Sequence, residues 1–257
     1  MQELLEEHWP AMQAAVESGG GEAVVALIEG QADPVTRHTL YDVARRGLIF
    51  REWEGKNFDS YITVIDAGIK QLLAEADATA PDARVDVYRG LHALCYNLTA
   101  DLADCWPDDD EPRSRSHHER GLRAADDCLR WLEHLPGPAD EPRTRDHWAR
   151  GIHLLALDEP AAAASAWELS LSHAETTAQA AHKSTAISVD GDFPVILASG
   201  YLALIRWIEG DPTAEQQFGA AIDAFLDQVP DETRRGAAEL GIGQLQKIRT
   251  KYGPEVS

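Results

Sequence analysis

Polar residues crowd one stretch of the chain, CYNLTADLADCWPDDDEP at 95–112. Asp101 and Asp104 stand three apart, a spacing that lets both carboxylates face one side of a helix. Asp108, Asp109, Asp110 and Glu111 follow, and carboxylate oxygens suit Mg²⁺ or Ca²⁺. The chemistry open to such a set is that of a metal-dependent hydrolase or lyase on an all-α scaffold, with the 101–111 acids as ligands. That chemistry needs its acids inside a helix facing a cavity, with a second acidic cluster opposite. Here four of the six follow Pro107, in a loop. WPDDDEP also lacks the alternating acids and central glycine of a calcium loop. Metal-dependent catalysis is therefore the alternative reading. The preferred one is a helix end followed by a wet acidic loop, with no metal and no cofactor expected.

Other catalytic patterns are weaker still. His117 and His118 are adjacent, so on a helix their rings point about 100° apart and chelate poorly. His-Glu-x-x-His is absent, and Asp146-His147 has the reverse order of a phosphohydrolase His-Asp dyad. His117, His118 and His134 are expected at the surface. Cys95 with His92, three apart, could form a thiolate and its base. With Leu91, Leu94 and Leu98 around it, Cys95 reads instead as an inert core thiol, and Cys128 reads the same way. Gly-x-Ser-x-Gly, Ser-x-x-Lys and Cys-x-x-Cys do not occur. SGGGEAVV could offer helix amides to an anion, but no strand precedes it, so it reads as a hinge. No catalytic residue is assigned.

The elements that must carry these residues are helical. Hydrophobic residues make up 44% of the 257, enough to bury a core, and runs rich in Val, Ile and Thr are few. Short amphipathic segments at 3–17 and 22–29 are split by SGGG. Asp33-Pro34 starts a helix that runs to about Glu54. Its partner spans 57–77, with Ile62, Ile65, Ile69 and Leu72 on one face. A long helix spans 82–105, and Pro107 ends it. In the next, Leu122, Ala125, Leu129 and Leu132 form the apolar face. Further helices are expected at 143–157, 160–181, 193–209, 212–228 and 231–251, with 183–194 as a loop. No linker is long enough to divide the chain, so 1–257 reads as a single all-α domain of antiparallel helix hairpins.

Two segments share a spacing. Gly151, Asp158, Ala163, Trp167 and Ser170 place a small residue on a first helix and a small-aromatic-small set on a second. Ala203, Gly210, Ala214, Phe218 and Ala221 follow it one residue short, with a weaker version at Leu48, Gly55, Ser60, Val64 and Ala67. These offsets resemble the tetratricopeptide repeat (TPR), in units near 41–77, 143–175 and 196–228. Small residues let antiparallel helices approach, and the aromatic fills the gap between hairpins. His147 and Arg150 stand where that family prefers Trp and Leu, the closing proline is missing, and the units are irregularly spaced. The resemblance implies a TPR-like α-solenoid, or an irregular helical domain, whose inner helices line a groove for a peptide or protein segment. It implies no chemistry.

Charge narrows the partner. Net charge is -21, from 44 acids against 23 bases, which disfavours nucleic acid and an anionic membrane surface. Three cysteines form no disulfide framework, the N-terminus is not a signal peptide, and no stretch reaches the roughly 18 apolar residues of a membrane span. A cytoplasmic protein is expected. The preferred function is non-enzymatic binding of a protein or peptide, with a basic partner of the kind that an acidic inhibitor or immunity protein covers. Tyr96, Asn97, Trp106, Asp108, Asp109, Asp110, His147, Arg150 and His153 are the expected contact residues. Oligomeric state is not legible in the sequence.

Overall fold

A computed structural model describes residues 2–50, 53–137 and 139–254. They form an all-α protein with no strand, in which neighbouring helices pack against each other. The helices are α1 (Gln2–Glu29), α2 (Pro34–Phe50), α3 (Phe58–Ala78), α4 (Val85–Leu102), α5 (Arg115–Leu132), α6 (Asp140–Ala156), α7 (Pro160–Ala180), α8 (Phe193–Ile208), α9 (Ala214–Gln228) and α10 (Arg235–Tyr252). One 3₁₀ turn, Pro81–Ala83, precedes α4. The expected helices are all present, with boundaries shifted by a few residues. The loop expected at 183–194 carries a single isolated bridge between Ser184 and Gly191. No described helix is long and apolar enough to cross a membrane. The chain's contacts fall into two compact units, 1–101 and 102–257.

In the first unit, α1, α2 and α3 pack against one another. The glycine run breaks α1, because Gly20 adopts φ +66, a left-handed conformation that side chains resist. The same run brings the backbone close to α3: a Cβ on Gly21 would lie 2.6 Å from the Ser60 carbonyl oxygen. Trp9 of α1 lies over Gly47 of α2, where a Cβ would meet the indole at 1.9 Å. α4 runs antiparallel to α3, with Gly68 beside Leu94 and Leu72 beside Gly90. Asp33 caps α2 by accepting from the Thr36 amide at 2.9 Å, and Asn57 caps α3 by accepting from Ser60.

One buried carboxylate ties three of these helices. Asp101, at the end of α4, accepts from Arg45 Nε and Nη2 of α2 at 2.7 and 2.8 Å. It also accepts from the Tyr61 hydroxyl of α3 at 2.6 Å. Asp101 is thus engaged in the packing of the helix end and is only 6% exposed.

In the second unit, helices pack in chain order from α5 to α10, and α8 also touches α10. α6 and α7 are antiparallel: Trp167 Nε1 donates to the Trp148 carbonyl at 3.2 Å, and Ser170 Oγ to the Thr144 carbonyl at 2.8 Å. Gly151 leaves room for Trp167, since a Cβ there would sit 2.3 Å from the indole nitrogen. Trp167 then stacks on Tyr201 of α8, centroids 5.0 Å apart. Likewise Phe225 of α9 packs on Gly241 of α10. Asp158 (φ +65) and Gly210 (φ +93) end the first helices of the two hairpins on left-handed residues. Each stands seven residues after the small residue, Gly151 or Ala203, that faces the hairpin.

Asp101→Asn removes the charge that Arg45 needs and leaves a buried guanidinium uncompensated. An expected loss of about 3–5 kcal/mol follows. Urea denaturation of the full chain checks it. Adding Arg45→Met to that variant should cost little more, because the stranded charge leaves with it.

Candidate functional site

Of the acids of 101–111, Asp101, Asp104 and Asp109 are held by cations from their own unit. Asp104 is 4% exposed, and its Oδ2 receives Lys251 Nζ and the Tyr252 hydroxyl of α10, the latter at 2.8 Å. His118 Nε2 of α5 lies 3.4 Å from the same oxygen. Burial raises the Asp104 pKa, but His118 and Lys251 outweigh it and hold the carboxyl well below its ordinary range. Asp109 pairs with Arg113. Lys247 reaches the Asp109 carbonyl and, at 3.0 Å, the Asp110 carboxylate. Asp108, Asp110 and Glu111 are exposed, so the wet loop is real but shorter than expected. Cys95, Cys105 and Cys128 are free and buried. Burial, with the Asp104 charge, pushes the Cys105 thiol up to about 12, where it stays protonated.

The histidines also sit differently. His118 is 3% exposed, which corrects the surface expectation. Its Nδ1 faces His153 Nδ1 at 3.1 Å, and His153 is fully enclosed beneath Gly121. A ring with no exposed surface supports packing rather than contact with a partner. His134 is exposed, and His117 reciprocates the Ser114 cap of α5. His147 is buried and stacks parallel to His173 at 5.7 Å, while His173 Nδ1 meets Asp140 at 2.7 Å. Burial, with His173, Arg150 and Arg143 nearby, lowers the His147 pKa to about 4. Arg150 is partly exposed and pairs with Asp126 at 2.7 Å. Trp106 packs edge-on against Trp148, centroids 5.8 Å apart.

The remaining expected contacts, Tyr96 and Asn97, lie on α4 and are half-buried, Tyr96 stacking on His92. Asn97 lines a groove of about 390 Å³ in the first unit. α3 contributes Gly68, Leu72 and Glu75 to it. Tyr41 and Asp42 of α2, with His38, form one wall. Val87, Gly90, Ala93 and Leu94 of α4 form the other, with Asp86 at its start. The floor is thus apolar, and three carboxylates, Asp42, Glu75 and Asp86, sit along it.

Small residues make the groove. Gly68 lets the Tyr41 ring approach α3, where a Cβ would lie 3.1 Å from Cγ. Gly90 leaves α4 without a side chain over Leu72, at 3.3 Å. The Tyr41 hydroxyl is buried and has no hydrogen-bond partner among the described residues. Burial, and then the Glu29 charge, raise its pKa, so it stays protonated and able to donate. The acids are held loosely. Glu75 meets His38 Nε2 at 3.1 Å, Asp42 meets Arg46 at 2.9 Å, and Asp86 meets Arg89. Arg46 and Arg89 are exposed and do not line the groove. Exposed pairs of this kind contribute about 0–1 kcal/mol, so an incoming cation can displace them.

Sequence reasoning found Asn97 but missed the rest of this surface. Its residues come from three helices separated by up to 59 positions, from His38 to Asn97. The available signal was a run of small residues on one face of α4, Gly90, Ala93 and Asn97. Comparisons with protein-family models, with curated proteins and with solved structures found no match.

Two measurements follow from these contacts. The native state holds His147 neutral, so as pH falls below 6.5 the unfolded chain takes up a proton that the folded one refuses until about 4. Stability should therefore drop across that window, by roughly 3 kcal/mol at most from this residue. Urea midpoints at pH 7.5 and 4.5 should converge in His147→Phe. Divalent cations find Asp101, Asp104 and Asp109 already paired and only the exposed loop acids Asp108, Asp110 and Glu111 open, so millimolar Mg²⁺, Mn²⁺ or Ca²⁺ should leave the thermal midpoint unchanged.

Proposed function

We propose that this protein is a non-enzymatic, TPR-like helical-repeat module that binds a segment of a basic partner protein. The observation that carries this reading is the groove between α2, α3 and α4: an apolar floor bordered by three carboxylates, on a chain of net charge -21. Apolar area supplies the affinity of such a surface, and charge supplies encounter rate and partner choice. The hairpin packing through Gly151 and Trp167 is what the repeat resemblance leads one to look for. An inhibitor or immunity protein is one concrete role for an acidic surface of this kind, since covering a basic effector uses the same complementarity. Asp101, Asp104 and Asp109, half of the carboxylates suggested as metal ligands, instead meet Arg, Lys, His and Tyr side chains, which favours the binding reading over the metal-dependent one.

The test is selection of random displayed peptides on the full chain, counter-selected on Ala93→Trp. Ala93 is exposed on the groove wall, so tryptophan fills the groove without entering the core. Peptides that bind the wild type, weaken as salt rises, and lose at least tenfold on the variant are expected. A selection yielding only peptides indifferent to Ala93→Trp would overturn the assignment.

A further inference from the structure

The groove restricts the conformation of what enters it. Its walls and floor are helices, whose backbone N–H and C=O groups are already used in their own ladders. An extended segment would bring unpaired backbone groups onto an apolar floor that offers no sheet edge to receive them. Each such group costs roughly 1–3 kcal/mol when buried without a partner. A helix satisfies its own backbone and presents only side chains.

The dimensions agree. α4 lines the groove from Asp86 to Asn97, twelve residues whose ends lie about 16 Å apart along the axis, or three turns. A ligand helix of the same length places three apolar side chains along one face, at i, i+4 and i+7. The groove is lined by α2, α3 and α4 together, the space that a further helix would take in ridge-into-groove packing.

Charge is not spread evenly along it. α3 runs antiparallel to α4, so Gly68 and Leu94 mark one end, while Glu75 and Asp86 lie toward the other. His38 joins Glu75 there. At the Gly68 end the polar group of α4 is the Asn97 amide, and the nearest carboxylate, Asp42, has Arg46 one turn along the same helix.

We propose that the groove's ligand is an amphipathic α-helix of a partner protein, with an apolar stripe and Lys or Arg residues at the end that meets Glu75 and Asp86. This rests on the groove being the binding surface. The apolar stripe displaces water from the floor, and the basic end replaces the exposed pairs that His38 and Arg89 make with those acids.

The test uses four labelled synthetic peptides of 18 residues and the full chain, read by fluorescence anisotropy. One carries leucines at i, i+4, i+7 and i+11 with lysines at one end. A second replaces the lysines by glutamates, a third scrambles the order, and a fourth places two prolines mid-helix. The first should bind at least tenfold more tightly than each of the others. Ala93→Trp should remove that binding, and Glu75→Lys combined with Asp86→Lys should transfer preference to the glutamate peptide. Equal binding of the scrambled or proline peptide would overturn the helical ligand, and indifference to charge would overturn the basic end. Should the displayed-peptide selection return groove-dependent peptides that are extended or acidic, this inference fails while the binding surface stands. If nothing depends on Ala93, both fail.

Discussion

The Asp101 carboxylate is buried, and burial makes its hydrogen bonds obligatory. Two come from Arg45 of α2 and one from Tyr61 of α3, while Asp101 itself ends α4. The helices joined at that point are the three that form the groove. Removing one partner leaves a charge in a place where water cannot reach it. Their relative placement is therefore set by a polar contact that tolerates no missing partner, while Gly68 lets Tyr41 of α2 and Leu94 of α4 approach α3 closely.

The second unit repeats the device with different chemistry. Asp104 gathers His118 from α5 and Lys251 and Tyr252 from α10, helices far apart in sequence. The short helix end between the two aspartates thus anchors one carboxylate in each unit. Charges that look like a ligand set in the sequence are spent on tertiary contacts. What remains exposed of the cluster is the loop from Asp108 to Glu111, and even there Lys247 and Arg113 reach in.

How much of this could be read in advance depends on range. Helix positions followed from three-and-four spacing and from Asp33, Pro34 and Pro107, all local signals. The hairpin of α6 and α7 was legible because the spacing of Gly151, Ala163, Trp167 and Ser170 is characteristic, whereas the packing of the Trp167 indole on Gly151 inside that hairpin was not. His118 was not. Its neighbours His117 and Glu119 suggested a solvated face, and the carboxylate that draws it inward stands 14 residues earlier, beyond a proline and a loop. The groove was legible only at Asn97. A concave surface is a property of three helices at once, and glycines on two of them look like ordinary interruptions until the facing side chains are known.

The sequence by itself determined that the protein is helical, that its cysteines are buried, and that it is strongly acidic. Those are properties of composition and of periodicity within about 20 residues, and local physics suffices for them. Tertiary structure alone decided which acids face water. A carboxylate keeps its charge inside a protein only when cations from distant segments arrive to meet it. Arg45 and Lys251 lie 56 and 147 residues from the aspartates they neutralise, a pairing that no spacing rule reports.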